Sequence, residues 1–461
     1  MDTMRRLALT FALVAALSLG ALARGASAQS AGSVLVVGGT PAGVAAAVSA
    51  ARQGADVTLV AGKRVLGGIL TDAMMDQWDL NVAPGGGAIQ GGLFSEVHAA
   101  LGDAFTPNDA ARVFADIVGR EPRIHVIFQA RATAVRSLHG TAGTEVAAVT
   151  FTRADGGTFT LAADEIVDAT DDGDVAAMAG ARYDLGRQDT GSDERMQPVT
   201  LMFTLRGVDW RKVEAGYDTA RYGAGGATPR RAWGYARVLN GYRPLAPNAI
   251  VRDLNAGREP DGEVTLNAID VLGIDGRSDD DLTRARVVAE RETPRLIAFL
   301  RAHVGGFEDA TLGRYADAIY VRETRHFAGV ERLTATDVWG GTIPSDTIGL
   351  SSYPLDLHPV TPDERLAYAP IRHVYGIPFG ALVPRDLTNL ILASPAISAT
   401  HLAAGSARVI PTTIEEGEAA GIAAAFAQRE RTTFTAMARD ADAIAGLRAA
   451  LVRGGSILTA G

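Results

Sequence analysis

Two short apolar runs near the start of the chain, Val34–Val37 and Val57–Val60, flank an alanine-rich segment. Apolar runs of this length without polar alternation are typical of parallel strands that are buried on both faces. Pro41 stands at the first turn of the intervening segment, where a missing N–H loses no hydrogen bond, and Gly54 is suited to end a helix. The pattern predicts a strand, a tight loop, a helix and a second strand.

The pattern changes twice farther along the chain. Residues 124–138 and 143–170 alternate between apolar and polar positions, which predicts strands joined by turns. From Val199 to Tyr320 we predict a strand in VTLMFTLRGV, long polar loops and one amphipathic helix over residues 280–304. The glycine- and alanine-rich pattern then returns, and a last amphipathic helix is predicted in ADAIAGLRAALVR.

These changes predict an α/β protein with a Rossmann-type dinucleotide-binding domain that is interrupted by an inserted α+β region. We expect the dinucleotide-binding domain to comprise residues 33–198 and 321–428. Residues 199–320 would form the inserted substrate or cap domain, and residues 429–461 a helical tail.

The first 28 residues have the layout of a secretory signal peptide. Arg5 and Arg6 supply a basic start, an apolar run follows, and the small residues Ala26–Ala28 precede the expected cleavage site. Ser18 and Gly20 interrupt the run, which argues against a membrane anchor. We expect a periplasmic or secreted protein without stable membrane insertion after cleavage, and the arginine pair allows export by the twin-arginine route.

Composition excludes several classes of chemistry. The 461 residues contain no cysteine, which excludes a redox dithiol, a thiolate nucleophile and an iron–sulfur cluster held by cysteines. The formal net charge is −9, and no run of lysines and arginines is present. Both features argue against a nucleic-acid partner, because binding to phosphates needs a basic patch. A small-molecule substrate is the expected partner.

The loop GGTPAG at residues 38–43 is close to the glycine-rich loop of dinucleotide-binding units. Gly38, Gly39 and Gly43 allow a tight turn and a close approach of backbone N–H groups to a pyrophosphate at a helix start. Thr40 replaces the middle glycine of the GxGxxG pattern, although its hydroxyl can donate to a phosphate. The order of strand, loop, helix and strand supports dinucleotide binding.

The end of the second predicted strand lacks the usual ribose ligand. Ala61 stands where an acidic residue normally accepts hydrogen bonds from the adenosine ribose. Lys63 or Arg64 could instead contact a 2′-phosphate, which would suit NADPH. These residues by themselves leave both flavin and nicotinamide dinucleotides open.

Segments spread over nearly the whole chain carry a resemblance to a known family. They are VVGGTPAGVAAA, LGGILTD, IQGGLFSEV, EIVDATDDGDVAAMAGARYDLGR, NAIDVLGIDG, DLTRARVVAE, YVRETRHFAG, SSYPLDLHP and AISATHLAAGSARVIPTTIEEGEAAGIAAA. The chain resembles the FAD-dependent oxidoreductases of the glutathione-reductase-like Rossmann flavoproteins, and among them a secreted bacterial branch. GGTPAG is that branch's own form of the loop, whereas relatives usually carry Glu at the position of Ala61.

The resemblance implies FAD as the cofactor and a set of residues that would hold it. Those matching the pyrophosphate loop are Gly38, Gly39, Thr40, Pro41, Ala42 and Gly43. Those matching segments along the rest of the cofactor are Gly67, Gly68, Thr71, Ala132, Ala169, Thr170, Asp172, Gly173, Arg408, Pro411 and Thr412. The absence of a cysteine pair excludes the disulfide-reductase form, and no second glycine-rich unit supports NAD(P)H.

Three residues are candidates for catalysis, because oxidation by a flavin usually needs a base that takes a proton from the substrate. His401, in a segment that matches the flavin pocket, is the first candidate, and a structural histidine is the alternative. His326 is the second, although relatives often have Arg there. Arg322 could bind a substrate carboxylate or tune the flavin, or could form a structural ion pair with Glu323.

Other polar groups favour simpler interpretations. Asp356 and His358 have a metal-like spacing, but two ligands do not make a site, so we expect no metal. Glu415 and Glu416 would begin a helix, where carboxylates favour the dipole. A serine hydrolase is unsupported, since no G-x-S-x-G motif occurs.

The expected function is oxidation of a small organic substrate by hydride transfer to FAD, with electrons passed to oxygen or to another acceptor. A flavin-binding protein without redox turnover is one alternative, motivated by Ala61. An NADPH-dependent flavin reductase is another.

Overall fold

A five-stranded parallel sheet lies at the centre of the larger hydrophobic core. The computed structural model describes residues 29–30, 34–141, 143–365 and 367–459, so the predicted signal peptide lies outside the described residues. In spatial order the strands are Leu390–Leu392, Glu165–Asp168, Val34–Val37, Val57–Val60 and Ile124–Ile127. The two strands predicted in the opening segment are confirmed with their predicted bounds, and the mixed α/β class with a parallel sheet is confirmed as well.

The other strands form further sheets, mostly antiparallel. A four-stranded sheet contains Gln29–Ser30, Thr158–Ala162, Gly143–Arg153 and Ala130–Gly140. A three-stranded sheet contains Val199–Thr200, Asp270–Val271 and Ala249–Ile250. A six-stranded sheet contains Gly226–Ala227, Arg231–Gly234, Leu254–Arg258, Val264–Asn267, Phe203–Arg206 and Thr311–Tyr315. Three strand pairs are Tyr183–Leu185 with Arg325–Phe327, Thr347–Ser351 with Tyr375–Pro378, and Leu355–Leu357 with Ala367–Ala369.

The helices lie between these strands and after them. In chain order they are Pro41–Arg52, Gly92–Leu101, Pro107–Gly119, Asp174–Met178, Trp210–Ala215, Thr219–Tyr222, Ala236–Leu239, Asp279–His303, Ala335–Gly340, His401–Ala407, Ile410–Glu430, Phe434–Met437 and Ala441–Arg453. Short 3-10 turns occur at Gly68–Leu70, Gln188–Thr190 and Phe379–Leu382. Among the described residues, no helix is long and apolar enough to cross a membrane.

A second hydrophobic core draws its buried residues from positions 203–310. The six-stranded sheet packs there against the helix Asp279–His303, which buries Leu296, Ile297 and Leu300. The single strand predicted in VTLMFTLRGV is wrong, because the run forms two strands that pair in different sheets. Leu201 and Met202, between these strands, are both buried, so an apolar run can cross from one sheet to the next without exposing side chains.

The helix Pro107–Gly119 was not predicted, although local signals for it exist. Thr106 and Asp109 form a capping box, in which each side chain accepts a hydrogen bond from the other's backbone N–H. A proline follows the cap, which suits the first turn of a helix.

Two glycines of the long helix Ile410–Glu430 fix the position of the helix Pro41–Arg52. A Cβ atom on Gly417 would lie 2.1 Å from the carbonyl oxygen of Ala42, and a Cβ on Gly421 would lie 2.1 Å from that of Ala46. The two helices therefore meet backbone to backbone over one helical turn.

Replacing Gly421 by Ala should lower the free energy of unfolding by about 1–3 kcal/mol, because the added methyl group overpacks the helix contact. Gly446→Ala is the matched control: it lies on the exposed face of the helix Ala441–Arg453, where a Cβ would meet only Phe426 at 3.8 Å. Since alanine favours a helix, the control should be neutral or slightly stabilising. Urea titration measures both, and equal stabilities of the two variants would contradict the proposed backbone contact.

Candidate cofactor-binding and active site

A cleft of about 520 Å³ opens at the carboxyl ends of the parallel strands. Its wall includes Val37 and Val60, the last residues of two strands, and Thr170, which follows a third. The order of the strands reverses between Val34–Val37 and Glu165–Asp168. In open α/β sheets ligands bind at such a reversal point, so this cleft is the expected cofactor site.

The glycine-rich loop gives the cleft a thin floor. Gly38 has a φ of 121°, and a Cβ there would lie 2.2 Å from the carbonyl oxygen of Ala169. A Cβ on Gly43 would lie 2.0 Å from the carbonyl oxygen of Gly38. Only glycine fits at these positions, and the loop leads directly into the N-terminus of the helix Pro41–Arg52. This arrangement fits the pyrophosphate of a dinucleotide.

Thr40 stabilises the loop at the position where a glycine is usual. Its backbone is extended, with φ −73° and ψ 169°, so no glycine is needed. Its hydroxyl accepts a hydrogen bond from the N–H of Gly43 and donates one to the carbonyl oxygen of Ala169, both at 3.0 Å. Thr40 thus caps the helix and ties it to the neighbouring strand, and its proton is directed at Ala169.

The end of the cleft beyond the second strand carries basic groups. Ala61, Lys63, Arg131 and Ala132 line it, and no carboxylate occupies position 61. Ala61 is buried, and a Cβ on Gly39 would lie only 2.7 Å from its methyl group. The absence of a side chain at Gly39 therefore lets the loop pass over the methyl group of Ala61.

The segment Gly67–Thr71, which was predicted to hold the cofactor, lines the cleft only in part. Gly67 and Gly68 have positive φ values of 116° and 46°, which allow the turn into a short 3-10 helix. The Thr71 hydroxyl donates to the carbonyl oxygen of Gly68 at 3.1 Å. Of these three residues, Gly68 is the one at the cleft surface.

The segment after the strand Glu165–Asp168 brings further predicted residues to the cleft. Asp168 accepts hydrogen bonds from the Thr170 N–H at 3.1 Å and from its hydroxyl at 2.7 Å. Burial outweighs these bonds and raises the pKa of Asp168 to about 6. Thr170 and Asp172 line the cleft, and Gly173, with a φ of 65°, allows the turn behind them.

A smaller cavity of about 50 Å³ adjoins the cleft. Both share wall residues, among them Tyr320 and Arg325. The predicted residues that line the smaller cavity are Thr40, Pro41, Ala42, Ala169, Asp172, Arg322 and Arg408. The two cavities together bring the glycine-rich loop and the last predicted segment to one place.

The start of the helix Ile410–Glu430 faces the smaller cavity, but not through the two residues that the resemblance implies. Ile410 and Thr413 line the cavity. Pro411 and Thr412 are buried in the first turn behind them. A helix N-terminus at this position favours negative charge in the cavity.

Tyr320 lies between two guanidinium groups. Arg408 donates to its hydroxyl oxygen at 2.6 Å, and the Arg322 guanidinium carbon lies 4.6 Å from its ring centroid. Arg322 also donates to Thr200 at 2.8 Å and pairs with Asp270 at 3.2 Å. The ion pair suggested between Arg322 and its neighbour in the chain is wrong, because Asp270, distant in sequence, is the partner.

Asp356 and His358 belong to the same buried network. His358 Nδ1 lies 2.6 Å from Asp270, and Asp356 lies 3.2 Å from Arg408. Burial and Arg322 oppose a charge on His358, but the two carboxylates outweigh them and raise its pKa to about 9. Burial likewise opposes the charge of Asp356, yet His358 and Arg408 hold the pKa of that carboxyl well below its usual range. Asp356 and His358, whose spacing resembles that of metal ligands, thus form ion pairs.

Glu323 binds both candidate histidines. Its Oε1 lies 2.8 Å from His326 Nε2 and 2.6 Å from His401 Nδ1, and its Oε2 accepts from the N–H of Gln197 at 2.9 Å. Ligands of a tetrahedral zinc stand about 3.3 Å apart, so these shorter distances are those of hydrogen bonds. Although burial opposes the charge, the two histidines lower the pKa of Glu323 to about 2, and Glu323 raises that of His401 against its own burial. Glu323 lines the smaller cavity, and neither histidine is among its wall residues.

Glu415 and Glu416 do not begin a helix, contrary to the prediction. The helix starts at Ile410, so both residues lie in its second turn, and both are buried. Burial raises the pKa of each well above its usual range, because it disfavours the charged carboxylate.

Three residues of the site were missed or misread from the sequence. Tyr320 is the first residue of the quoted segment that contains Arg322, and its position before a cluster of arginines was the available signal. Glu323 lies in that segment but was read only as a partner of Arg322. Asp270 occurs in another quoted segment and carries no local signal of its role.

The fold and the site define a dinucleotide-binding α/β protein: a parallel sheet, a loop that fits a pyrophosphate and a second cavity beside a helix start. The sequence matches the family described as FAD dependent oxidoreductase over residues 33–451. The chain therefore belongs to the FAD-dependent oxidoreductases, and its cofactor is FAD. A comparison with curated proteins gives no significant match.

Solved structures with a similar fold are distant. The p-nitrophenol 4-monooxygenase PnpA of Pseudomonas putida DLL-E4 is 12% identical, with a TM-score of 0.37 over 66% of this chain and 71% of that chain. A geranylgeranyl bacteriochlorophyll reductase-like protein of Thermoplasma acidophilum is 13% identical, with a TM-score of 0.44 over 93% and 84%. The myxobacterial chondrochloren halogenase CndH is 14% identical, with a TM-score of 0.38 over 66% and 67%. Similarity at this level carries no argument about substrate or reaction.

Replacing His358 by Gln should flatten the dependence of stability on pH. Because the pKa of His358 is raised from 6.5 to about 9, its charge stabilises the folded protein below pH 6.5, and this contribution is lost as the pH rises through 9. The contribution is roughly 3 kcal/mol. We expect the free energy of unfolding in urea to fall more steeply between these pH values in the wild type than in His358→Gln.

His125→Gln is the control for this measurement, because the side chain of His125 is exposed on the strand Ile124–Ile127. It should follow the wild-type curve. Parallel curves for the wild type and His358→Gln would mean that folding does not raise the pKa of His358.

Proposed function

We propose that the protein oxidises a small organic substrate by hydride transfer to FAD, with the electrons passed on to oxygen or to another acceptor. The observation that carries this proposal is the smaller cavity, which is lined by polar groups and shares Tyr320 and Asp171 with the cofactor cleft. A substrate in that cavity would adjoin the cofactor. In this proposal the arrangement is glutathione-reductase-like, and residues 199–320 act as the inserted cap domain.

Asp171 is the proton acceptor in this proposal. Its carboxyl lines both cavities. The side chain is exposed within the cleft, where desolvation by the cleft walls and the neighbouring carboxylates of Asp172, Asp72 and Asp174 raise its pKa to about 7, near the best value for a general base at neutral pH. Asp171 takes the proton of a substrate hydroxyl or amine while the hydride leaves the adjacent carbon. FAD supplies the two-electron acceptor.

The three residues first considered for catalysis act through their neighbours in this proposal. His326 and His401 keep Glu323 charged at the cavity wall, because both contact its carboxylate. Arg322 positions Tyr320 and balances Asp270, since its guanidinium already contacts both. Because the Arg322 guanidinium already pairs with Asp270, a substrate carboxylate would have to compete for it. The proposal therefore favours a substrate without a carboxylate.

The proposed reaction predicts a yellow protein whose flavin absorbance is bleached by a substrate under anaerobic conditions and restored by air. A panel of small alcohols, amines and related compounds, monitored by visible absorbance, identifies the substrate class. A flavin-binding protein without turnover would stay yellow with every compound. Bleaching by NADPH alone would favour the reductase alternative.

The variant Asp171→Asn, given the compound that bleaches the wild type, should slow anaerobic flavin reduction about 100-fold or more near pH 7, the loss typical of an absent general base. The wild-type rate of flavin reduction should rise with pH, following a pKa near 7. This rise should be absent in Asp171→Asn. An unchanged rate and pH profile would remove Asp171 from the role of base.

Export to the periplasm is part of the proposal, supported by the layout of the first 28 residues. FAD is made in the cytosol, so a non-covalent flavoprotein is best exported folded, by the twin-arginine route. Replacing Arg5 and Arg6 by lysine should then abolish export, measured by fractionation of the cells. Unchanged export of the double variant would indicate the unfolded, general secretory route.

A further inference from the structure

The ribose end of the cofactor cleft lacks its usual ligand. In dinucleotide-binding units a carboxylate after the second strand accepts hydrogen bonds from the ribose hydroxyls. Here Ala61 stands after the strand Val57–Val60, and its methyl group offers no acceptor. Another group on the cleft wall must therefore hold the ribose, or the ribose is held weakly.

Arg131 marks the same place in the cleft. A Cβ on Gly62, the residue after Ala61, would lie 3.5 Å from Cγ of Arg131, so the arginine side chain lies over the strand end. Both Gly62 and Arg131 line the cleft. The guanidinium reaches from this point across the opening.

On the opposite wall Arg131 meets a carboxylate. Asp279, the first residue of the helix Asp279–His303, also lines the cleft, and its Oδ2 lies 3.7 Å from Nη1 of Arg131. The two side chains are 71% and 82% exposed. An ion pair so exposed contributes about 0–1 kcal/mol to folding, but a ligand that fills the cleft beneath the pair would bury both side chains.

We propose that Asp279 replaces the missing carboxylate at position 61 and accepts the hydrogen bonds of the adenosine ribose of FAD, while Arg131 holds Asp279 over the cleft. The ribose ligand then comes from the segment 199–320 rather than from the strand end. A carboxylate there also repels a 2′-phosphate, which selects FAD against NADP-type nucleotides. This inference rests on FAD as the cofactor and not on the proposed oxidation.

The experiment compares the dissociation constant of FAD in the wild-type holoprotein and in Asp279→Asn, measured by recovery of FAD fluorescence on dilution. We expect about a tenfold weaker binding in the variant, the effect of one lost hydrogen bond to a charged group. Asp280→Asn is the matched control, because Asp280 follows in the same helix turn, is exposed and is not a wall residue. It should bind FAD like the wild type.

FMN, which lacks the adenosine, shows whether the effect concerns the ribose. After removal of FAD, FMN should bind equally to the wild type and to Asp279→Asn. An equal loss of FMN and FAD affinity, or an FAD dissociation constant within twofold of the wild type, would overturn the proposal. Either result concerns the cofactor alone and leaves the oxidation test unaffected.

A gain-of-function variant tests the same inference independently of any folding defect. Ala61→Glu should restore FAD affinity in the Asp279→Asn protein, because it returns the carboxylate to the strand end. In the wild type the same change should alter FAD affinity less than twofold, since Asp279 already holds the ribose. Tenfold tighter FAD binding by Ala61→Glu alone would mean that the ribose is unanchored, and the proposal would fail.

Discussion

Direct backbone contact is the constraint on which the cofactor site depends. The helix Pro41–Arg52 is held at its start by Gly38, whose Cα faces the carbonyl group of Ala169, and along its length by Gly417 and Gly421. Because no side chain separates these backbones, the distance between strand ends and helix start has little freedom. The cleft width and the direction of the helix N-terminus follow from these glycines.

Paired charges hold the structure together around the smaller cavity. An unpaired buried charge costs several kcal/mol, so the guanidinium groups of Arg322 and Arg408 must keep their carboxylate partners. Asp270 belongs to the three-stranded sheet, whereas Arg408 precedes the long helix Ile410–Glu430 and pairs with Asp356. The network, with Tyr320 between its guanidinium groups, therefore ties the three-stranded sheet to the segment before the long helix and fixes the cavity wall.

The sequence alone predicted features that depend on local interactions. It missed those that depend on contacts between distant segments. Val34–Val37 and Val57–Val60 were predictable because burial on both faces leaves a local mark in composition. The partner of Arg322 was not, since Asp270 is brought to it only by the folding of distant segments. Glu415 was misread for a related reason: a carboxyl near a helix start indicates a cap, and nothing local shows that other elements bury it.

The opening segment departs from the usual dinucleotide-binding pattern at two positions, Thr40 in place of a glycine and Ala61 in place of an acidic residue. The two differences have different physical consequences. A pyrophosphate is bound largely through backbone N–H groups. Its site therefore depends on glycines within one short loop, and no other residue can replace them. Thr40 is tolerated because its backbone is extended and its hydroxyl caps the helix. A ribose is bound by a side-chain carboxylate, which can reach it from any wall of the cleft. Ala61 is therefore weak evidence against cofactor binding, and the opposite wall is where such an acceptor is to be sought.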